Sequence, residues 1–65
     1  MRALIINEFG QHLYLRCSFI PRVGDKVDAF YEPLPSVTQV VAFPSEERLK
    51  ALKIDDHVDA ILTVR

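Results

Sequence analysis

The chain has 65 residues, 49% of them hydrophobic, and its eight Lys and Arg against nine Asp and Glu leave a formal net charge of −1. That length holds a single domain, residues 1–65, with no room for a second. Four basic and four acidic residues fall in 1–44, and four basic and five acidic in 45–65, so no basic lobe exists to follow nucleic acid or an anionic membrane.

Residues 2–7 form a short aliphatic run that ends at the turn signal Asn7-Glu8-Phe9-Gly10. The run is too short for a signal-peptide core or a membrane span. From His12 the pattern alternates cleanly. Leu13, Leu15, Cys17 and Phe19 lie on one face, and His12, Tyr14, Arg16 and Ser18 on the other. This predicts a half-buried antiparallel strand, joined to the first by a hairpin through Phe9-Gly10-Gln11.

The next stretch, Phe19-Ile20-Pro21-Arg22-Val23-Gly24-Asp25-Lys26-Val27, reads as a compact turn between two strands. Pro21 has a fixed φ and no donor, which suits a strand exit. Gly24 can take a positive φ, and Asp25 can fold its carboxylate onto backbone N–H groups. A third strand is expected next, with Val27, Ala29 and Tyr31 alternating against Lys26, Asp28 and Phe30 before Pro33 and Pro35 end it.

Residues 37–43 predict a fourth strand. Pro44-Ser45-Glu46-Glu47 is a helix start, with Ser45 as N-cap and acids in the first turn. The helix is expected over about residues 45–53, with Leu49 and Leu52 on one face. A turn at Asp55-Asp56-His57 leads into a last strand in which Val58, Ala60, Leu62 and Val64 alternate.

Five short strands with one helix before the last predict a mainly β fold: a small SH3-like barrel or rolled antiparallel sheet, in which closure removes the exposed edges. The alternative is an open α+β sheet with the helix on one face. The turn also resembles that of very small uncharacterised β-rich proteins of bacterial and phage type that share an F-[IV]-P-R-x-G-D-x-V pattern. The match covers nine of the 65 residues. The resemblance implies an SH3-like barrel and carries no activity.

Candidate chemistry is sparse. Asp55, Asp56, His57 and Asp59 are the densest polar cluster, but no Cys/His spacing supplies converging metal ligands, and Asp in a turn is explained by local backbone bonding. Cys17 shares a face with Leu13, Leu15 and Phe19, the setting of a core thiol rather than a nucleophile. As the single cysteine it forms no intrachain disulfide, and a reducing, cytoplasmic setting is expected. Neither a G-x-S-x-G nor a glycine-rich phosphate motif occurs.

The expectation is therefore a non-enzymatic protein-interaction module without cofactor or metal. Its expected contacts are Tyr14, Arg16, Arg22 and Phe30, which combine the aromatic and Arg character of interface anchors. A chain so apolar and so short cannot bury all its hydrophobic surface, which points to a homo-oligomer or another protein as partner. The alternative is a small barrel that stacks single-stranded nucleic acid on the same aromatic and Arg face, a reading that the net charge disfavours. A metal-dependent or thiol enzyme comes after both.

Overall fold

The computed structural model describes residues Met1–Arg65. Four strands form one mixed sheet: β1 (Arg2–Ile6), β2 (His12–Arg16), β3 (Val37–Ala42) and β4 (Ala60–Val64), with helix α1 (Glu46–Ala51) between β3 and β4. The order across the sheet is β2-β1-β4-β3. β1 and β2 are an antiparallel hairpin, β3 and β4 pair antiparallel, and β1 and β4 lie parallel at the centre.

β1 and β4 are central because they can be covered on both faces. Ala3 and Ile5 point to one side and Leu4 to the other, and all three are fully buried. In β4, Ala60, Leu62 and Val64 face the first side and Ile61 the second. Continuous apolar runs of this kind belong to doubly covered strands, whereas β2 has only one residue that is not exposed.

Each face has its own cover. Over one lies the long segment of residues 17–36, which buries Val27 and Ala29 against Ala3, Ile5, Val37, Ala60, Leu62 and Val64. Over the other lies α1 with the chain that follows it, where Leu49, Ile54 and Val58 meet Leu4 and Ile61.

The barrel is not formed, and the sheet is open at β2 and β3. The expected third strand is the reason. Its alternation correctly buries Val27 and Ala29, but residues 26–31 make a single bridge, Lys26 to Ser36, and no ladder. Instead Ala29 N–H donates to Val27 O and Tyr31 N–H to Ala29 O, both at 2.9 Å, as in successive γ-turns. Phe30 adopts a φ of 68°. Without that strand nothing closes the sheet, and the last strand enters between β1 and β3 rather than at an edge. The open sheet with a helix on one face is the arrangement found, with a parallel pair in place of the rolled antiparallel order.

The turn before it does form. Arg22 N–H donates to Asp25 Oδ2 at 2.9 Å, Asp25 N–H donates to Arg22 O at 3.0 Å, and Gly24 has a φ of 96°. Gly24 N–H donates to Val37 O and Val37 N–H to Asp25 O, both at 2.8 Å, tying the turn to the start of β3.

Helix α1 is shorter than expected. Ser45 is extended, and its Oγ accepts from Arg48 N–H at 3.2 Å, as an N-cap should. At the other end Lys53 N–H donates to Lys50 O (3.0 Å) and Ile54 N–H to Leu49 O (2.9 Å), with Lys53 at a φ of 58°. This pattern, with Ile54 and Leu49 in one apolar cluster, is a Schellman stop. It turns the chain before Leu52 can reach the sheet. Leu52 is 45% exposed and does not share the buried face of Leu49.

Candidate partner-binding surface

The hairpin register brings three side chains together at one edge of the sheet. Met1 and Cys17 exchange two hydrogen bonds of 2.8 Å, and Asn7 N–H donates to Gln11 O at 3.1 Å. Exchange pairs alternate along an antiparallel ladder, so Ala3/Leu15 and Ile5/Leu13 are also exchange pairs. The pairs between them, Arg2/Arg16, Leu4/Tyr14 and Ile6/His12, do not exchange bonds. His12, Tyr14 and Arg16 therefore turn their backbone groups away from β1, toward the free edge.

The side chains of Tyr14 and Arg16 lie on the same face of the sheet as Leu4 and α1, but beyond the helix. Both are exposed. The Arg2 guanidinium sits 4.3 Å from the centroid of the Tyr14 ring. Its Nη2 is 3.6 Å from Asp56 Oδ2, and Arg2 N–H donates to Asp59 Oδ2 at 2.9 Å. Arg16 has no ion-pair partner. Arg2, Tyr14, Leu15 and Arg16 line a shallow depression of about 370 Å³ that wraps the outer edge of β2.

The four expected contact residues are not brought together. Tyr14 and Arg16 share this shoulder. Arg22 is exposed on the turn of the segment that covers the opposite face. Phe30 belongs to that cover too, half-buried against the Val27 and Ala29 cluster, with its ring 6.0 Å from that of Tyr31. The left-handed backbone at Phe30 breaks the alternation that would have turned it outward. Arg2 was not among the expected residues, because it opens an apolar run. The signal that finds it is the Asn7/Gln11 closure of the hairpin, which places Arg2 opposite Arg16.

The acidic cluster is dispersed into structural contacts. Asp56 and Asp59 serve Arg2, and His57 Nε2 lies 3.9 Å from Asp59 Oδ1. No three His, Cys, Asp or Glu side chains converge as metal ligands would. A second depression of about 340 Å³, between α1 and residues 54–57, is lined by side chains of both charge signs. Cys17 packs against the Ala3/Ile5 cluster, and its Sγ lies 3.7 Å from Met1 O. No helix is long and apolar enough to cross a membrane. Comparison with known proteins finds no matching family model, curated protein or solved structure.

Proposed function

We propose that the chain is a non-enzymatic interaction module of the cytoplasm that takes an extended, acidic protein segment along the free edge of β2. The observation that carries this reading is the pairing of outward backbone groups at His12, Tyr14 and Arg16 with the guanidiniums of Arg2 and Arg16 around one depression. An added strand gains main-chain hydrogen bonds from such an edge, and alternate side chains supply selectivity. Carboxylates on the partner pair with Arg16, which has no internal partner, and Tyr14 supplies a rigid apolar contact. The reducing setting rests on Cys17, a free thiol packed against the core.

The test is a titration of a fluorescently labelled, extended acidic peptide by anisotropy. Arg16→Glu is expected to weaken binding at least tenfold, about 1.4 kcal/mol, while Arg22→Glu, on the opposite cover, leaves it within twofold. Equal losses for both variants would sink the placement.

A second reading has its own observation. One aromatic ring flanked by two guanidiniums is also a stacking platform for a single-stranded base, with cations for the phosphates. Against it stand the net charge of −1 and the two carboxylates beside Arg2. A labelled oligothymidine in the same titration separates the two. Strong, salt-sensitive binding of the oligonucleotide with none of the peptide would establish the second reading instead.

A further inference from the structure

The other free edge of the sheet has the opposite chemistry. Phe43 N–H donates to Asp59 O at 2.7 Å, and the register continues through Val41/Ile61 and Gln39/Thr63. These are the exchange pairs with β4, so Val40 and Ala42 turn their N–H and C=O groups outward, where no strand meets them. The free stretch is bounded on both sides. At its start the register shifts between Val37 and Gln39, which leaves Thr38 as a bulge, and Gly24 and Asp25 bond to Val37. At its end Pro44 has no N–H to offer.

Edge strands in stable monomers are usually blunted by charge, by proline or by covering chain. Between those bounds β3 has none of these. The segment Val37–Ala42, VTQVVA, carries no charge, no proline and no glycine, and is rich in β-branched residues. Phe43, directly after it, leaves a large apolar side chain 65% exposed.

Symmetry decides which occupant suits each edge. A two-fold antiparallel pairing places a strand against itself. On β2 a two-fold at Tyr14 would set Arg16 against the second copy's His12, with the two Arg2 side chains on the same face, and cationic or bulky polar groups would crowd together. On β3 a two-fold at Val41 sets Val40 against Ala42 and brings Gln39 and the bulged Thr38 to the second copy's Phe43 and Pro44, where a φ of 49° at Phe43 ends the strand. Only neutral side chains meet, and the two terminators of the free stretch fall opposite each other.

We propose that two copies of this chain pair antiparallel along their β3 edges, centred on Val41, and so join two four-stranded sheets into one. Val40 and the second copy's Ala42 exchange backbone hydrogen bonds, twice over by symmetry. The interface is isologous and closes at two copies, since it consumes the same edge on both. It leaves β2 free, and it stands independently of the acidic-segment reading.

The experiment is sedimentation equilibrium of the full chain from low to high micromolar concentration, with amide hydrogen exchange over the same range. A monomer–dimer equilibrium is expected, with exchange at Val40 and Ala42 slowing as concentration rises while the β2 amides of Tyr14 and Arg16 do not change. Ala42→Lys sets a charge on the junction and is expected to weaken dimerisation at least tenfold. Val40→Pro removes one outward N–H and decides the matter if the Lys variant fails to fold. Arg16→Glu is expected to leave the dimer constant within twofold. A strict monomer at high micromolar concentration overturns the proposal, as does a dimer indifferent to both β3 variants. Species that grow past two copies would overturn the closed geometry.

Discussion

Asn7 is the one buried polar side chain of the fold, 3% exposed, and it holds the β1–β2 turn from inside. Its Oδ1 accepts from Phe9 N–H at 3.0 Å and from Gln11 N–H at 2.9 Å, and its Nδ2 donates to Gln11 Oε1 at 2.8 Å. Asn7→Ala removes all three bonds and strands two backbone donors that water reaches only in part. At about 1 kcal/mol net per bond, the loss is expected to be about 2–3 kcal/mol. A domain of this size has about 3–10 kcal/mol in all, so the loss is about a fifth of the total at the upper end and nearly all of it at the lower. Asn7→Asp keeps both acceptor contacts, and the Gln11 amide can turn to donate to the carboxylate, so it is expected to lose only about 1 kcal/mol. Urea unfolding followed by far-UV circular dichroism, at a concentration low enough to hold the chain as a monomer, measures both. The slope with denaturant should stay constant while the midpoint moves. An Ala variant within 0.5 kcal/mol of the parent, or an Asp variant as damaged as Ala, would refute the account of the turn.

Two further predictions use the same assay. Leu4, fully buried beside Ile61 on the sheet face that α1 covers, is expected to cost about 2–5 kcal/mol on truncation to Ala, whereas Leu52→Ala, at an exposed helix end, is expected to cost under about 1 kcal/mol; similar costs would mean that the helix covers the sheet differently. The left-handed positions give a pair of opposite sign: Lys53→Gly relieves the φ of 58° and is expected to stabilise by about 0.5–1 kcal/mol, while Gly24→Ala, where a Cβ meets nothing within 4 Å, is expected to destabilise by about 1–2 kcal/mol from backbone strain alone. A gain at Gly24 or a loss at Lys53 would contradict the backbone reading.

What could be read from sequence was local. The hairpin at Asn7, the turn at Pro21 to Asp25, the Ser45 cap and the centres of the four strands each follow from nearest-neighbour chemistry, although alternation alone carries the second strand on to Phe19, which is 69% exposed, and starts the last at Val58. Strand order does not. The last strand pairs with the first because both are apolar on two faces, and that shows only when burial of Leu4 and Ile61 is set beside that of Ala3 and Leu62. Residues 26–31 carry the alternation of a strand, which is a pattern of burial and not of pairing. Here γ-turns deliver Val27 and Ala29 to the core without a ladder. The helix stop is not legible in the sequence, because Lys53 stands where glycine usually marks a Schellman turn. Of the candidate surface, Tyr14 and Arg16 were legible from alternation. Arg2 needed the hairpin register, and Phe30 was misplaced by its positive φ.

The central position of β4 has a consequence for how the molecule comes into being. Arg2 and Asp59, 57 residues apart, are hydrogen-bonded neighbours, so the sheet cannot be completed until nearly the whole chain is available. Such distant closure slows folding relative to a chain of local contacts. Within the sheet β3 pairs with β4 alone, and until β4 docks the uncharged VTQVVA segment has two bare sides rather than one. The interval between synthesis of β3 and arrival of β4 is therefore when this protein is most exposed to misassembly. A chain cut short before residue 60 would keep its sticky strand and lose the partner that shields it.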